Sequence, residues 1–572
     1  MPTALLTNLL PTLLPSLLAL PQDPPRTATE LLPLQQLCTR ERSYGAPPWG
    51  SLLRYRQPYD RPANLVLDAG DDASIGADGI ADAVHETEQD AIDNGNLFVQ
   101  AVGSNLLAFG EAAAVRRVRQ RVDAAARVLA RPVQVEFALW DASDREAPGP
   151  ALTPDEFARF ASNHAPIWRA VGTGRAGNAI ALERMRWTRY VHGIEVEVAQ
   201  KQTMTRPATE QYGEGGHAVV RAYALAGCDD FAVHVQFAVG EKRGVNRTLQ
   251  TGMPGAADIE LPRLESYFGA CSARVPNGGA LAATMRGNAA TGGQRVLTFR
   301  VTSRMPPATL DEPGLALVPC GALTTAALTP RAQFPDARED DGAAFSYDDD
   351  GVYGRVPVDQ LIELAQGILD ETDDGDGSVR VADGYLLVRG SAAAVSRVEA
   401  LVRGLQDEMV QNVAVRHAAT LEPAGTDGAS DPARPLLHEL TLPTLLGREA
   451  VACRLLETNI VKDVFIEVAQ EAGSLAPEIE VLQSGAWFRL RAVPAAGSLH
   501  VDLEVRCTNA PTPPVRAVMP GGGVLMQAEV DTTRLDHDGV GERGGSIDQG
   551  EGPAVVLEDR GFRSTMATTV RR

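Results

Sequence analysis

A pattern of apolar and polar positions occurs twice along the chain, over residues 96–140 and again over residues 376–420. Each copy begins with two short runs rich in residues that favour strands. A stretch follows in which apolar residues are spaced three and four apart, which is typical of one face of an α-helix. An alternating run closes the copy and indicates a strand with one buried face. The pattern therefore predicts a small module with one helix packed on a small sheet.

The two copies align position by position when 280 is added to the numbers of the first. In each copy a glycine, Gly110 or Gly390, ends the second strand run directly before the helix. The apolar helix positions are Val115, Val118 and Val122 in the first copy and Val395, Val398 and Val402 in the second. We interpret this agreement as a tandem duplication.

A second repeated block follows each module, now at an offset of 270. Its clearest stretch is Ile194–Gln200, which matches Val464–Gln470 and shares its last four residues. Both blocks contain runs that alternate apolar and polar residues between glycine turns, as antiparallel sheets with one solvated face do. The sequence therefore predicts a mainly antiparallel β-domain after each module. No long amphipathic hairpin is evident in either block.

The predicted fold class is α+β, with two copies of the small module, each followed by a mainly antiparallel β-domain. A signal peptide is expected at the N-terminus, because Ala4–Leu20 is apolar and uncharged, although no Lys or Arg precedes this run. The acidic linker is expected from the run Asp336–Asp350. The predicted segments are a signal peptide at 1–23, a linker at 24–61, the first α+β module at 62–142, the first β-rich domain at 143–310, an acidic linker at 311–350, the second α+β module at 351–422 and the second β-rich domain at 423–572.

The composition excludes several classes of partner. A net charge of −21 argues against nucleic acid and against anionic membrane surfaces. Beyond the N-terminal run, no stretch is long and apolar enough to be a transmembrane helix. The six cysteines are far apart and contain no C-x-x-C pair, so a zinc site is not expected. Disulfides stay open as an alternative, because spacing alone cannot pair the cysteines.

Three short motifs suggest chemistry, and a structural interpretation suits each of them better. The run G-x-G-x-x-G at 172–177 lacks the strand and helix that a dinucleotide loop needs, so we interpret it as a turn. The acidic run at 370–377 lacks the ligand spacing of a calcium loop and is interpreted as a solvated turn. Carboxylates that recur on predicted strands are better explained by a solvent-exposed face of a sheet than by acid–base catalysis. These carboxylates are Glu195, Glu197 and Glu467. We accordingly predict no catalytic, cofactor-binding or metal-binding residues, and no cofactor.

The helix pattern resembles that of the bacterial secretin family, the ring-forming subunits of type II and type III secretion and of pilus machinery. The resemblance lies in Tyr385–Val402, YLLVRGSAAAVSRVEALV, and in its counterpart Asn105–Val122, NLLAFGEAAAVRRVRQRV. Family members place this motif in a ring-building module. The runs Ile194–Gln200 and Val464–Gln470 look like the start of a secretin-type β-domain. The chain departs from the family because its modules and β-domains alternate, and because it lacks the V-P-x-L-G-D-I-P type run of the membrane-inserted domain.

The resemblance implies a non-enzymatic envelope protein, exported to the periplasm or associated with the outer membrane, that assembles with itself or with other secretion proteins. The missing signature argues against insertion into the outer membrane. A second hypothesis is a monomeric exported binding or scaffold protein, with its two halves packed as a pseudo-dimer. The third is an enzyme with a site between the halves. That hypothesis needs a polar cleft that collects residues such as His192, Glu195 and His217.

Overall fold

The computed structural model describes most of the chain, in two compact units. One unit comprises residues 1–40 with 74–127, and the other comprises residues 41–73 with 128–572. The predicted signal peptide and the acidic run at 336–350 lie outside the described residues. The described residues are 27–34, 77–103, 105–142, 148–199, 202–244, 247–249, 258–287, 293–305, 314–324, 356–373, 377–382, 384–421, 436–469, 472–495, 498–509, 515–518, 524–527, 531–542, 555–559 and 562–571.

Helices and strands are each numbered in the order in which they occur along the chain. The helices are α1 Ala77–Thr87, α2 Gln89–Asp93, α3 Ala112–Leu129, α4 Pro154–Asn163, α5 Gly321–Thr324, α6 Val358–Asp373 and α7 Ala392–Met409. The strands of the first half are β1 Thr27–Pro33, β2 Leu97–Val102, β3 Asn105–Glu111, β4 Pro132–Asp141, β5 Ala151–Leu152, β6 Pro166–Arg175, β7 Ala179–Ala199, β8 Gln202–Ala224, β9 Asp230–Lys242, β10 Arg247–Leu249, β11 Ile259–Leu261, β12 Arg263–Pro276, β13 Ala280–Gly287 and β14 Gln294–Thr302. Those of the second half are β15 Leu315–Pro319, β16 Ser378–Ala382, β17 Tyr385–Arg389, β18 Asn412–Leu421, β19 Leu436–Leu445, β20 Glu449–Ala469, β21 Ala472–Ala495, β22 Ser498–Asn509, β23 Val515–Val518, β24 Val524–Gln527, β25 Asp531–Glu542, β26 Val555–Asp559 and β27 Phe562–Arg571.

The first module is a three-stranded sheet in the order β1-β3-β2, accompanied by helices. The apolar stripe on α3 is buried as its spacing predicts, with Val115 and Val118 at 0% exposure. The strand β1 lies in the stretch predicted to be a linker. It pairs antiparallel with β3 over seven residues, from Thr27 opposite Glu111 to Pro33 opposite Asn105. This pairing covers a sheet edge that would otherwise expose unpaired backbone groups.

The second module has the corresponding sheet order, β15-β17-β16. On α7 the predicted helix positions Val398 and Val402 are fully buried. The strand β15 falls within the predicted acidic linker and pairs antiparallel with β17, with Leu315 opposite Arg389. In both modules, therefore, the edge strand lies well before the repeated motif. Its short apolar run carried no signal of its distant partner.

Two large sheets contain the remaining long strands, and they pack face to face. The eight-stranded sheet has the order β25-β22-β21-β20-β12-β9-β8-β7, and the nine-stranded sheet has the path β26-β27-β18-β19-β13-β14-β4-β6 with β5 beside β13. One apolar core lies between them and includes Phe137 and Phe299 from one sheet with Phe237 and Phe488 from the other. The strands β4 and β18, which the sequence pattern places in the modules at 62–142 and 351–422, belong to the nine-stranded sheet.

Strands of the two halves share both large sheets. The sequence pattern instead assigns most of these strands to two β-rich domains, at 143–310 and 423–572. In the eight-stranded sheet β12 of the first half pairs antiparallel with β20 of the second. In the nine-stranded sheet β13 pairs antiparallel with β19. Each half therefore supplies four strands to the eight-stranded sheet and leaves no uncovered edge where the halves meet.

Two features of the eight-stranded sheet differ from the sequence prediction. The strands β9 and β12 are buried on both faces rather than one. A second apolar cluster, which includes Tyr190, Tyr212 and Phe268, covers the face turned away from the main core. The sheet also contains two long hairpins, β7–β8 and β20–β21, whose strands have 21 to 24 residues. The alternating pattern predicts several shorter strands in these regions and does not reveal the hairpins.

Candidate functional site

The junction between the halves is formed by β12 and β20. Eight consecutive residues pair, from Arg263 opposite Thr458 to Ala270 opposite Val451. Backbone pairing of this kind is directional and register-specific, because a slip of one residue exchanges the two faces of a strand. The junction is therefore a register-specific contact between the two halves of one chain.

Charged side chains are buried at this junction. The Nε atom of Arg454 on β20 donates a hydrogen bond to Oε1 of Glu265 on β12 over 2.5 Å. The same carboxylate also accepts from Arg243, which contacts Glu241 as well. The side chain of Glu265 is 1% exposed and that of Arg454 is 7% exposed. A buried charge is tolerated only when it is paired and hydrogen-bonded, so this group depends on both halves.

The pKa shifts of neighbouring groups agree with this burial. Burial acts to lower the pKa of Arg243, yet the carboxylates of Glu265 and Glu241 outweigh it and the pKa is raised. Burial, followed by the charge of Glu265, raises the pKa of Tyr267. The guanidinium therefore stays charged and the phenol stays neutral at physiological pH.

A second buried polar contact crosses the same junction. The hydroxyl of Ser266 on β12 donates to Oε2 of Glu457 on β20 over 2.5 Å. The amide of Gln483 on β21 donates to the other oxygen of that carboxylate over 3.0 Å. Both Ser266 and Glu457 are 0% exposed. The junction thus combines a backbone ladder with side-chain contacts that fix its register.

Corresponding glycines lie in the two long hairpins, on β8 and on β21. Gly215 and Gly485 have φ values of 116° and 155°. A Cβ atom would lie 1.9 Å from the carbonyl oxygen of Arg184 at the first and 2.0 Å from that of Arg454 at the second. Only glycine fits these two positions, because other residues rarely adopt such φ values and the backbone leaves no space.

A buried glutamine links the second module to the turn that follows β8 in the first half. On α7, Gln406 is 2% exposed. Its Oε1 accepts from the backbone N–H of Ala226 over 2.7 Å, and its Nε2 donates to the carbonyl of Pro319 over 2.7 Å. Nearby, Arg274 donates to Asp407 over 3.1 Å. The module is therefore attached by specific polar contacts as well as by its apolar core.

The glycine run at 172–177, which the sequence predicts to be a turn, begins within β6 and only its end forms the turn; strand β7 follows it, not a helix. Its first two glycines belong to β6 and its last glycine to a turn with φ of 84°. A Cβ on Gly172 would lie 2.8 Å from the side chain of Leu182, and one on Gly174 would lie 2.7 Å from Ile180. These glycines allow β7 to pack closely on β6, which explains the run without a nucleotide.

The residues named for an enzyme site are not brought together. On the β7–β8 hairpin, Glu195 lies opposite Arg206 and His217 lies opposite Glu183. Positions 206 and 217 are 11 residues apart on β8, which corresponds to roughly 36 Å at about 3.3 Å per residue. His192 instead contacts Glu210, with Nε2 and Oε1 3.2 Å apart.

The other candidate chemistry is equally dispersed. Glu195 and Glu197 are exposed, and the side chain of Glu467 lies outside the described part of the structure. Residues 370–373 of the acidic run end helix α6, and residues 374–376 lie outside the described ranges. No group of three or more metal-binding side chains is present among the described residues. Among the cysteines whose side chains the structure describes, Cys228, Cys271, Cys320 and Cys453 are free.

Comparisons with known proteins give similarity to solved secretin structures only at a low level. No family model matches the chain. No curated protein is significantly similar to it. The type IV competence pilus secretin PilQ of V. cholerae aligns over 37% of this chain and 74% of its own, at 12% identity and a TM-score of 0.18. The pilotin–secretin complex AspS–GspD of ETEC aligns over 96% and 88%, at 8% identity and a TM-score of 0.18.

A third solved structure, ExeD of Aeromonas hydrophila, aligns over 96% of this chain and 90% of its own, at 9% identity and a TM-score of 0.17. At these TM-scores the alignments carry no argument of their own. Within the described ranges, none of the helices has the length and apolar character needed to cross a membrane.

Sequence reasoning missed the junction itself. A strand's own pattern of apolar and polar residues does not show which strand lies beside it. Glu265 and Arg454 are 189 residues apart in the chain. One signal was available, since a charged residue within an otherwise apolar run indicates a buried partner.

Proposed function

We propose that this chain is a non-enzymatic, secretin-like component of the bacterial cell envelope that assembles with copies of itself, edge to edge, into closed rings. The resemblance of the two helix motifs to ring-building modules supports the family and the exported location. The proposal treats the two halves as a tandem duplication, so that each chain supplies two successive units of the ring.

One observation carries the self-assembly. In the repeat, β20 is the counterpart of β7 and β25 is the counterpart of β12, because the two halves of the eight-stranded sheet share one strand order. At the junction β20 pairs with β12 rather than with its own counterpart. The contact is therefore head-to-tail, and a contact of this kind propagates into a ring or a filament unless something terminates it.

The alternative is a monomeric exported scaffold in which the junction serves only to hold the halves together. The same junction is compatible with it. The two ideas differ in what happens at the outermost strands of the eight-stranded sheet, β7 and β25. In the ring they pair with neighbouring chains, and in the monomer they do not.

Light scattering on the purified full chain, together with negative-stain imaging, tests the proposal. Assembly predicts annular particles and a mass of two or more chains, each of which is 60.8 kDa as the full sequence. A mass of one chain across a wide concentration range, with compact two-lobed particles, would favour the monomeric scaffold. Fractionation of cells that produce the full chain tests the location, and recovery with cytosolic markers would contradict the envelope assignment.

A further inference from the structure

We infer that β7 of one copy of this chain pairs antiparallel with β25 of a second copy in one particular register. The inference rests on the proposed self-assembly and specifies the surface that performs it. The partner is a second copy of the same chain, because the surface continues a junction that already exists within the chain.

The register follows from a row of paired residues that crosses the eight-stranded sheet. In the first half the row is Met185, Gly215, Gly240 and Ser266, on β7, β8, β9 and β12. In the second half it is Leu455, Gly485, Thr508 and Thr532, on β20, β21, β22 and β25. The two parts meet where Ser266 lies opposite Leu455. Leu455 is the counterpart of Met185, so a second copy would continue the row by placing its Met185 opposite Thr532.

This register brings complementary residues together along the edges. Counting outward from Met185 and Thr532 sets Arg186 opposite Asp531 and Glu183 opposite Arg534. It also sets Leu182, which is buried in the main core, opposite Leu535. Directly opposite residues of unlike charge stabilise an antiparallel pair, and apolar pairs on the core face do the same.

Neighbouring registers lose this agreement. A shift of one residue in one direction sets Arg184 opposite Arg534, and a shift in the other direction sets Leu182 opposite Arg534. The first places like charges together and the second places a charge on the core face, and both are unfavourable. The register copied from the junction is thus favoured over both one-residue shifts.

The buried ion pair of the junction also has a counterpart in this register. Within the chain, Arg454 contacts Glu265, which lies two positions along β12 from the residue directly opposite. In the row, Arg184 is the counterpart of Arg454 and Asp531 is the counterpart of Glu265. The contact between copies therefore retains an arginine and a carboxylate at the same two positions.

The nine-stranded sheet offers a second edge for the same neighbour. Its outermost strand on the first-half side is β6, on which Ile167 is 47% exposed and Val171 is 53% exposed. The counterpart of β6 in the second half is β19, which pairs with β13 at the junction. An exposed apolar edge strand is an association site unless a partner covers it. A ring built in this way contains an even number of half-chain units.

Charge reversal in the full chain tests the register. We expect Glu183→Arg alone, and Arg534→Glu alone, each to raise the concentration needed for assembly at least roughly tenfold, because each places like charges opposite one another. The double variant Glu183→Arg with Arg534→Glu should assemble as the unaltered chain does, because every contact between its copies again brings opposite charges together.

Glu408→Arg is the matched control, because Glu408 is exposed on α7 and away from both edges. It should assemble normally. Circular dichroism and thermal melting of all variants separate a loss of assembly from a loss of folding.

In a second experiment, Arg186→Cys combined with Asp531→Cys should give a ladder of covalent oligomers on a non-reducing gel, and neither single substitution should. Directly opposite strand residues are within disulfide range.

The outcomes distinguish the two levels of inference. Normal assembly of both charge-reversal variants, with no ladder from the cysteine pair, would overturn the register and leave the proposed self-assembly standing. Failure of the unaltered chain to assemble at any concentration would overturn the proposed function itself. Weakened assembly that the double variant does not restore would also contradict the pairing of Glu183 with Arg534.

Discussion

Removal of one charge from the junction should weaken the contact between the halves strongly. The carboxylate of Glu265 faces two guanidinium groups, those of Arg454 and Arg243, and is almost wholly buried. Glu265→Gln keeps the shape of the side chain and leaves both cations without their carboxylate. Loss of one member of a buried ion pair typically costs about 3–5 kcal/mol. We expect the free energy needed to separate β12 from β20 to fall by this amount.

Native-state hydrogen exchange is the appropriate assay, because a chain with two compact units has no single unfolding free energy. Peptides that cover β12 and β20 should exchange faster in Glu265→Gln. The double variant Glu265→Gln with Arg454→Met should lose less opening free energy than the two single variants lose together, by roughly 1–3 kcal/mol. The exposed pair Arg397 and Glu371, 3.2 Å apart on the second module, is the control. Glu371→Gln should change stability by no more than about 1 kcal/mol.

Two results would refute this reasoning. One is a cost for Glu265→Gln no larger than that of the exposed control. The other is strict additivity of the two junction substitutions, which would mean that the buried charges do not act on one another. Either result would mean that the buried side chains do not stabilise the junction and that only its backbone hydrogen bonds do.

Three further predictions concern the core of the larger unit. Leu369→Ala on α6 should cost about 2–5 kcal/mol because Leu369 is fully buried, whereas Leu364→Ala on the same helix, at 50% exposure, should cost less than about 1 kcal/mol, both measured by native-state hydrogen exchange of α6. Gln406→Ala should cost roughly 1–3 kcal/mol and speed hydrogen exchange at the Ala226 amide, which loses its acceptor. Burial lowers the pKa of His417 to about 3, below its unfolded value of 6.5. Stability should therefore fall as the pH drops below 6.5 towards 3, and pH-dependent unfolding of His417→Phe should show a slope smaller by up to about 1.4 kcal/mol per pH unit.

Local structure was predictable where a period is enforced by burial. The valines of α3 and α7 could be found because a helix that packs on a sheet must repeat its apolar residues every three to four positions. The alternating runs of β8, β21 and β22 were predictable for the same reason with a period of two. These signals are local, and each depends only on one face being buried.

The arrangement of the strands was not predictable in this way. β1 and β15 are short, and their partners lie more than 60 residues away in the chain. The face of β12 that meets the second apolar cluster is buried by the long hairpins, so its pattern is continuous rather than alternating. The junction depends on Glu265 finding Arg454 at a distance of 189 residues, and no period in the sequence encodes such a pair.

The most direct measurement is high-resolution imaging of the full chain purified as an assembly. We predict closed rings in which β25 of each chain lies beside β7 of the next, Thr532 opposite Met185, with an even number of half-chain units around the axis. A population of single chains, or of two-fold dimers in which each edge strand pairs with its own copy, would contradict the account.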